Sequence, residues 1–343
     1  MSGALQIKIL ADDQFDQWDA FVEQCPEATF FHQAGWFEVI LSTGHTPYFF
    51  YAERDGVIEG ILPLGHIRSL LFGNSLISVP FCVYGGVAAL NDEARQLLDQ
   101  TACDLGQKLG VDAIDFRNRT ESGKDRIKQD LYVTFRKTIS ADDDENLKAI
   151  PRKQRAVVRK GIKSGLSSVI DADSARFYPL YSESVRNLGT PVMSRSYFDL
   201  LLKVFGSQAD ILTIENNGVA VSSVLNFYFR DEVLPYYGGG GNAARRCKAN
   251  DFMYWEVMRR AAARGINLFD FGRSKQGTGS YRFKTHWGFE PEPLHYEYVL
   301  VNASEPPNLN PTNPKYQYFI SAWKRLPLAV SQSIGPWLAR NLA

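Results

Sequence analysis

Three stretches of this chain carry residue types at spacings that can do chemistry. The first is IPRKQRAVVRKGIKSG, from Ile150 to Gly165. On a helical period Arg152, Arg155, Arg159 and Lys163 share one face, joined by Lys153 and Lys160, with no acid between them. Six cations in so short a segment suit a polyphosphate, a nucleotide- or lipid-linked sugar, or the phosphates of an RNA. The plainer alternative is a solvated helix, offset by Asp142, Asp143, Asp144 and Glu145, although Pro151 separates those acids from it. The second stretch is LFDFGRSKQGTGSYRFKTHWGFEPEPLHYEY, from Leu268 to Tyr298. Here Arg273, Lys275, Arg282, Lys284 and His286 crowd a glycine-rich segment, and Phe283, Trp287 and Phe289 flank Lys284. A lysine partly desolvated among aromatics can stabilise a developing oxyanion in acyl transfer or hold a phosphate. The alternative is a snorkelling lysine, and on either reading its head is expected outside the core.

The third stretch, YYGGGGNAARRCKANDFMYWEV, opens with Tyr236 and Tyr237 and ends at Val257. A glycine-rich turn from strand to helix can present backbone N–H groups to an anion. Gly238-x-Gly240-x-x-Ala243 formally fits a dinucleotide fingerprint, but Pro235 sits in the preceding strand and no acid follows at the required distance. The helix beyond carries Tyr254, Val257, Met258 and Ala261 on one stripe, with Asn250 as the expected N-cap and Gly265 as its stop. Phe252 and Trp255 are expected in the core.

These stretches must be positioned by something larger, and the chain repeats itself. YFFYAERDGVIEGILPLG (Tyr48–Gly65) reads as strand, Asp-Gly turn, strand, and ADILTIENNGVAVSSVLNFYF (Ala209–Phe229) repeats that plan around Asn217-Gly218. Tyr84-Gly85-Gly86 is matched by Tyr237-Gly238-Gly239, and GVDAIDFR (Gly110–Arg117) by GINLFDFGR (Gly265–Arg273). The paired glycines and the paired aspartates, Asp115 and Asp270, both stand 155 residues apart. The pattern predicts a tandem duplication of a mixed α/β unit, with its seam near ISADDDENLKAIP. The expected division is 1–145, 146–302 and a helical tail, 303–343.

Lys+Arg and Asp+Glu both number 38, so no global field draws the chain to nucleic acid or membrane, and recognition must come from local clusters. The four cysteines and five histidines show no metal-ligand spacing, and no metal site is expected. No secretory leader or spanning segment is evident, which predicts a cytoplasmic protein.

The phrase FDFGRSKQGTGSYRFKTHWGFEPEPLHYEY, the Tyr-Gly-Gly run, GTPVMSRSYFDLLLKVFG and the basic RKQRAVVRKG helix resemble the FemAB-like transferases. The branch they look most like is the one associated with exosortase/PEP-CTERM systems. The resemblance implies two tandem GNAT-like domains, mixed α+β, and transfer of an acyl or aminoacyl group. Acyl-CoA and aminoacyl-tRNA are the implied co-substrates, with no resident cofactor. The implied acceptor is a small-molecule or lipid-linked saccharide or peptide precursor of the cell envelope or an exopolysaccharide. The family's F-K lysine falls on Lys284 after Phe283, and its basic positions on Arg152, Lys153, Arg155 and Arg159. The coiled-coil arm of some members has no counterpart here. The GNAT coenzyme loop is met only as Gly238-x-x-Gly241-x-Ala243, with glycine where Gln or Arg belongs.

Aminolysis of an ester or thioester needs positioning and a cation or N–H facing the oxyanion. The expected assignment is Lys284 for the oxyanion or a phosphate, and the basic helix for an anionic substrate. Tyr236, Tyr237 and Arg273 would line a cleft between domains, and Asp251 is the candidate general base. The alternative is a non-catalytic adaptor that uses the fold to bind a polysaccharide or assembly partner. The tail from Lys315 to Ala343 holds no acid and four cations, Lys315, Lys324, Arg325 and Arg340. Tyr318, Phe319, Ala322 and Trp323 form one apolar stripe, and Ile334, Trp337 and Leu338 another. They either pack on the second domain or form a foot on the inner face of the membrane.

Overall fold

The computed structural model describes residues 3–69, 72–306 and 314–342. In chain order the strands are β1 (Gln6–Ile9), β2 (Thr46–Arg54), β3 (Val57–Ser69), β4 (Gly73–Ile77), β5 (Ala88–Ala89), β6 (Ala113–Asn118), β7 (Ile127–Gln129) and β8 (Tyr132–Thr138). They continue as β9 (Ser167–Asp171), β10 (Ala209–Asn216), β11 (Val219–Phe229), β12 (Glu232–Gly240), β13 (Leu268–Asp270), β14 (Ser274–Lys275), β15 (Pro291–Pro293) and β16 (His295–Leu300). They form two sheets. The first runs β1-β2-β3-β4-β6-β16-β7 with β5 beside β3, and the second β9-β10-β11-β12-β13-β8-β14 with β15 beside β8. Each path is antiparallel except at one step, β4 with β6 and β12 with β13.

The two mixed α/β units therefore follow one plan, and local chemistry explains its shared details. Asp55-Gly56 and Asn217-Gly218 all adopt positive φ, as a two-residue hairpin that matches the strand twist requires. Just inside each turn the register slips, at Ala52/Glu53 and at Ile214/Glu215. The crossover helix is Asp92–Leu109 in the first unit, capped by the Asn91 side chain and stopped by Gly110 at φ 60. In the second it is Ala249–Ala263, with Val257, Met258 and Ala261 buried as the period predicts, and Phe252 and Trp255 in the core. The expected Asn250 N-cap is incorrect. Lys248, at φ 63, takes the N-cap position, and Asn250 lies inside the first turn.

The division at 145/146 and 302/303 also shifts, because hydrogen bonding follows strand position and not sequence halves. β8 bonds to β13, β14 and β15, so it completes the second sheet although it precedes the expected seam. β16 bonds to β6 and β7, so the sixth strand of the first sheet arrives from the far end of the chain. One compact unit holds the chain up to Asp130 and again from Leu294, and the other holds Leu131–Pro293 with the tail helices to Ala339. Those helices are Pro314–Trp323 and Leu328–Ala339. Residues 307–313 of the expected helical tail, and the Lys315 side chain, lie outside the described residues.

Candidate functional site

The basic stretch folds as the Arg152–Lys163 helix, which buries only Val158 and Gly161. Gly161 is needed there, because a Cβ would stand 2.9 Å from the Phe252 Cβ of the crossover helix. Every cation consequently stays on the outer faces. An open cavity of about 640 Å³ runs along the helix, lined by Arg152, Arg155, Arg159, Lys160 and Lys163 with Ala156 and Ser164. Lys153 is not part of that lining. Among the described residues none of the six cations makes an ion pair or side-chain hydrogen bond, so the upstream acids do not neutralise them. Unpaired cations on a concave surface form a ready site for a polyanion.

Lys284 is placed differently from expectation. It is 8% exposed, and its amine is drawn into the unit, donating to Gly272 O at 2.8 Å and Arg273 O at 3.0 Å. The head sits 5.5 Å from the centre of the Phe135 ring. The surface-lysine expectation fails because the Gly279–His286 helix, started by a Thr278 side-chain cap, turns this position inward over β8. Burial lowers the Lys284 pKa to about 7, with Arg273 adding to the effect and Asp270 opposing it. Phe283 packs half-buried against Tyr254, Phe271 and Trp287. Arg273 lays its guanidinium 4.5 Å over the Tyr132 ring. The chain just past Lys284 reaches the basic helix, since a Cβ on Gly288 would stand 2.9 Å from Pro151.

Beneath this loop lies a polar cluster that sequence reasoning missed. Asp270, almost fully buried, accepts from Gly272 N at 2.6 Å and Thr134 Oγ1 at 3.2 Å, and pairs with Arg136 Nε at 3.5 Å. Arg136 also reaches Glu232 at 3.2 Å. Burial and the neighbouring Asp270 carboxylate push the Glu232 pKa up to about 8, against the pull of Arg136. The only advance signal was the repeated aspartate, since Asp115 is buried at the equivalent place in the first unit, paired with Arg117 at 3.2 Å. Asp251 is half-buried on the crossover helix and accepts from the Gln154 amide of the basic helix. Burial raises its pKa.

The glycine run is closed rather than open. A Cβ at Gly239 would meet the Tyr181 backbone at 2.9 Å, one at Gly238 the Tyr254 hydroxyl at 2.9 Å, and one at Gly241 the Glu183 carboxylate at 2.8 Å. These glycines let the Phe177–Leu188 helix and Tyr254 approach the strand, and a carboxylate beside Gly241 is unsuited to a pyrophosphate. Tyr237 joins the same packing, with its hydroxyl 3.1 Å from that of Tyr197 and its ring against Tyr181, Phe198 and Tyr236. Beside it the sheet opens. β12 pairs with β13 only through Glu232 and Val233, yet runs on to Gly240. The two parallel strands thus part at the level of Asp270.

A parallel pair that parts in this way, followed by a glycine turn and a crossover helix, defines the class as a GNAT-type acyltransferase fold. Residues 152–285 match the acetyltransferase (GNAT) domain family. Among solved structures, FemX is similar over 92% of this chain and 100% of its own, at 16% identity and a TM-score of 0.66. The C-terminal domain of a candidate lysylphosphatidylglycerol synthetase from Agrobacterium fabrum is similar over 85% of this chain and 93% of its own, at 12% identity and a TM-score of 0.55. A tandem GNAT protein from the clavulanic acid biosynthesis pathway is similar over 88% of this chain and 100% of its own, at 13% identity and 0.52. No protein of curated function matches the sequence. The chain thus shares the tandem GNAT fold of these structures.

Proposed function

We propose that this protein transfers an acyl or aminoacyl group to the amine of a cell-envelope or exopolysaccharide precursor, in the exosortase/PEP-CTERM-linked setting its motifs resemble. One observation carries the reading. The six unpaired cations and their open cavity lie inside the very segment that matches the GNAT domain. The donor in this reading is acyl-CoA or an aminoacyl-tRNA, both polyanions that the Arg152, Arg155 and Arg159 face suits. The acceptor is a small-molecule or lipid-linked saccharide or peptide. No observation favours a non-catalytic adaptor.

In the transfer step the acceptor amine attacks the donor carbonyl, a C–N bond forms, and the C–S or C–O bond to the donor breaks. The amine's proton leaves through a base and ends on the departing thiolate or alkoxide. Asp251, with its pKa raised by burial, is the candidate for that base. A protonated Lys284 has three N–H donors, of which Gly272 O and Arg273 O take two. The third is free to face the developing oxyanion, so only the ammonium form can serve both the loop and the transition state.

The test is a thermal-shift panel of coenzyme A, aminoacyl-tRNA and a nucleotide-linked sugar, followed by transfer assays with the ligand that stabilises. A ligand at about 100 times its Kd adds about 2.7 kcal/mol, and Arg155→Glu/Arg159→Glu should abolish that shift. Stabilisation that survives the double reversal, or no response to any polyanion at low salt, would overturn the reading.

A further inference from the structure

The two tail helices bury an unexpected face. Trp323 is tucked in, donating its indole N–H to Thr190 O at 3.1 Å, and Ile320 closes over Gly189, where a Cβ would stand 2.4 Å away. On the second helix the buried positions are Ser331, Gly335 and Ala339, four residues apart, so a seam of small residues makes the contact. Gly335 fits against Val192, whose backbone O would be 3.0 Å from an added Cβ. Gln332 Nε2 donates to Ser182 Oγ at 2.7 Å, and Arg186 Nη1 to Leu326 O at 3.2 Å.

A seam of small residues leaves the large apolar side chains outside. Tyr318 is 87% exposed, Trp337 54%, Ile334 44%, Val330 41% and Phe319 40%. Every aromatic among the exposed large hydrophobics of the described residues lies in this segment. Exposed Lys324 and Arg325 stand between the two helices, and no acid occurs from Lys315 to Ala343. Neither helix is long and apolar enough to cross a bilayer. Exposed Tyr and Trp beside uncompensated cations match the chemistry of an interface that is apolar below and anionic above.

We infer that this tail is a peripheral foot that docks on an anionic lipid surface. The charge argument selects that occupant over a second copy of the chain, whose tail would bring the same cations against these. The inference does not rest on the transfer reading, because it is measured on vesicles with neither donor nor acceptor.

The full chain provides its own probe. Of the six tryptophans, only Trp337 is exposed, the other five being at most 5% exposed. Titration with vesicles of phosphatidylglycerol and phosphatidylcholine should blue-shift the emission, protect it from iodide quenching and carry the protein into the vesicle pellet. Phosphatidylcholine alone should do so far less. Lys324→Glu/Arg325→Glu should weaken partitioning at least about 25-fold, at roughly fivefold lost per cation before repulsion is counted. Tyr318→Ser/Ile334→Ser changes only outward-facing residues, and it should weaken partitioning while leaving the melting curve unchanged. Equal partitioning of wild type and both variants, or none to anionic vesicles at low salt, overturns the proposal. Protection of Trp337 that follows protein concentration instead of lipid would overturn it too, and would assign the face to a dimer.

Discussion

Replacing Lys284 with methionine separates the burial of its charge from the filling of its space. The side chain is almost wholly enclosed and its pKa falls from 10.5 to about 7, which amounts to about 5 kcal/mol between the charged and neutral forms in the folded state. Above pH 10.5 the lysine is neutral in both folded and unfolded chains, and the burial penalty is absent. As pH falls towards 7 the unfolded chain takes up a proton that the folded chain refuses, so stability is lost, and below 7 the loss is complete. Methionine has no such dependence. The difference in unfolding free energy, wild type minus Lys284→Met, should therefore grow by about 2 kcal/mol between pH 7 and pH 9. Urea denaturation of both proteins across that range measures it. The absolute offset also contains the two lost hydrogen bonds to Gly272 O and Arg273 O, but that contribution is flat with pH. A difference independent of pH would mean that Lys284 stays charged when folded, and the reasoning about its burial would fall.

Three further outcomes follow from the same geometry. Glu232, raised to about 8 beside Asp270, favours the fold most below its unfolded pKa near 4.5 and loses that advantage as pH rises towards 8. Glu232→Gln, measured by urea melts, should thus be near neutral at pH 5 and stabilising by roughly 2–3 kcal/mol at pH 8; equal effects at both would refute the raised Glu232 pKa. Gly239→Ala pushes a methyl into the Tyr181 backbone and should cost about 2–3 kcal/mol, whereas Gly241→Ala meets only the end of the Glu183 side chain and should cost under about 1 kcal/mol. If Lys284 serves the oxyanion, transfer rate should decline above about pH 7 as its third N–H is lost; a rate that keeps rising to pH 9 would remove Lys284 from that role.

Much of the fold was legible because its signals are local. Asp-Gly and Asn-Gly turns, alternating strands and an amphipathic crossover helix announce themselves within a dozen residues, and their recurrence at one offset revealed the duplication. Strand exchange was hidden because hydrogen-bond partners more than 100 residues apart leave no mark on periodicity. At the candidate site, exposed features read well. The basic face has the composition its surface shows, since nothing else constrains it. Buried features read poorly. Lys284 was placed outside because its long stem permits either direction, and only the carbonyls of Gly272 and Arg273 decide between them. The Glu232–Asp270–Arg136 cluster draws one residue from each of three strands, so no short motif contains it. The tail misled for a related reason, because its aromatic stripes are conspicuous and its actual contact is made by Ser331, Gly335 and Ala339.

The crossed ownership of β8 and β16 sets an order of events during synthesis. When Asp130 leaves the ribosome, the first sheet has β6 at an open edge and must wait for β16, about 170 residues later. At 5–20 residues per second that interval is roughly 10–35 s. Until β13 emerges at Leu268, β8 has none of its own sheet neighbours, and among the strands of the second sheet it is the closest in sequence to the vacant place beside β6. A transient mispairing of β8 there would trap both units, since the first would hold the second's missing strand and leave no place for β16. Cutting the chain between its halves would make that mispairing the best pairing left to the first fragment.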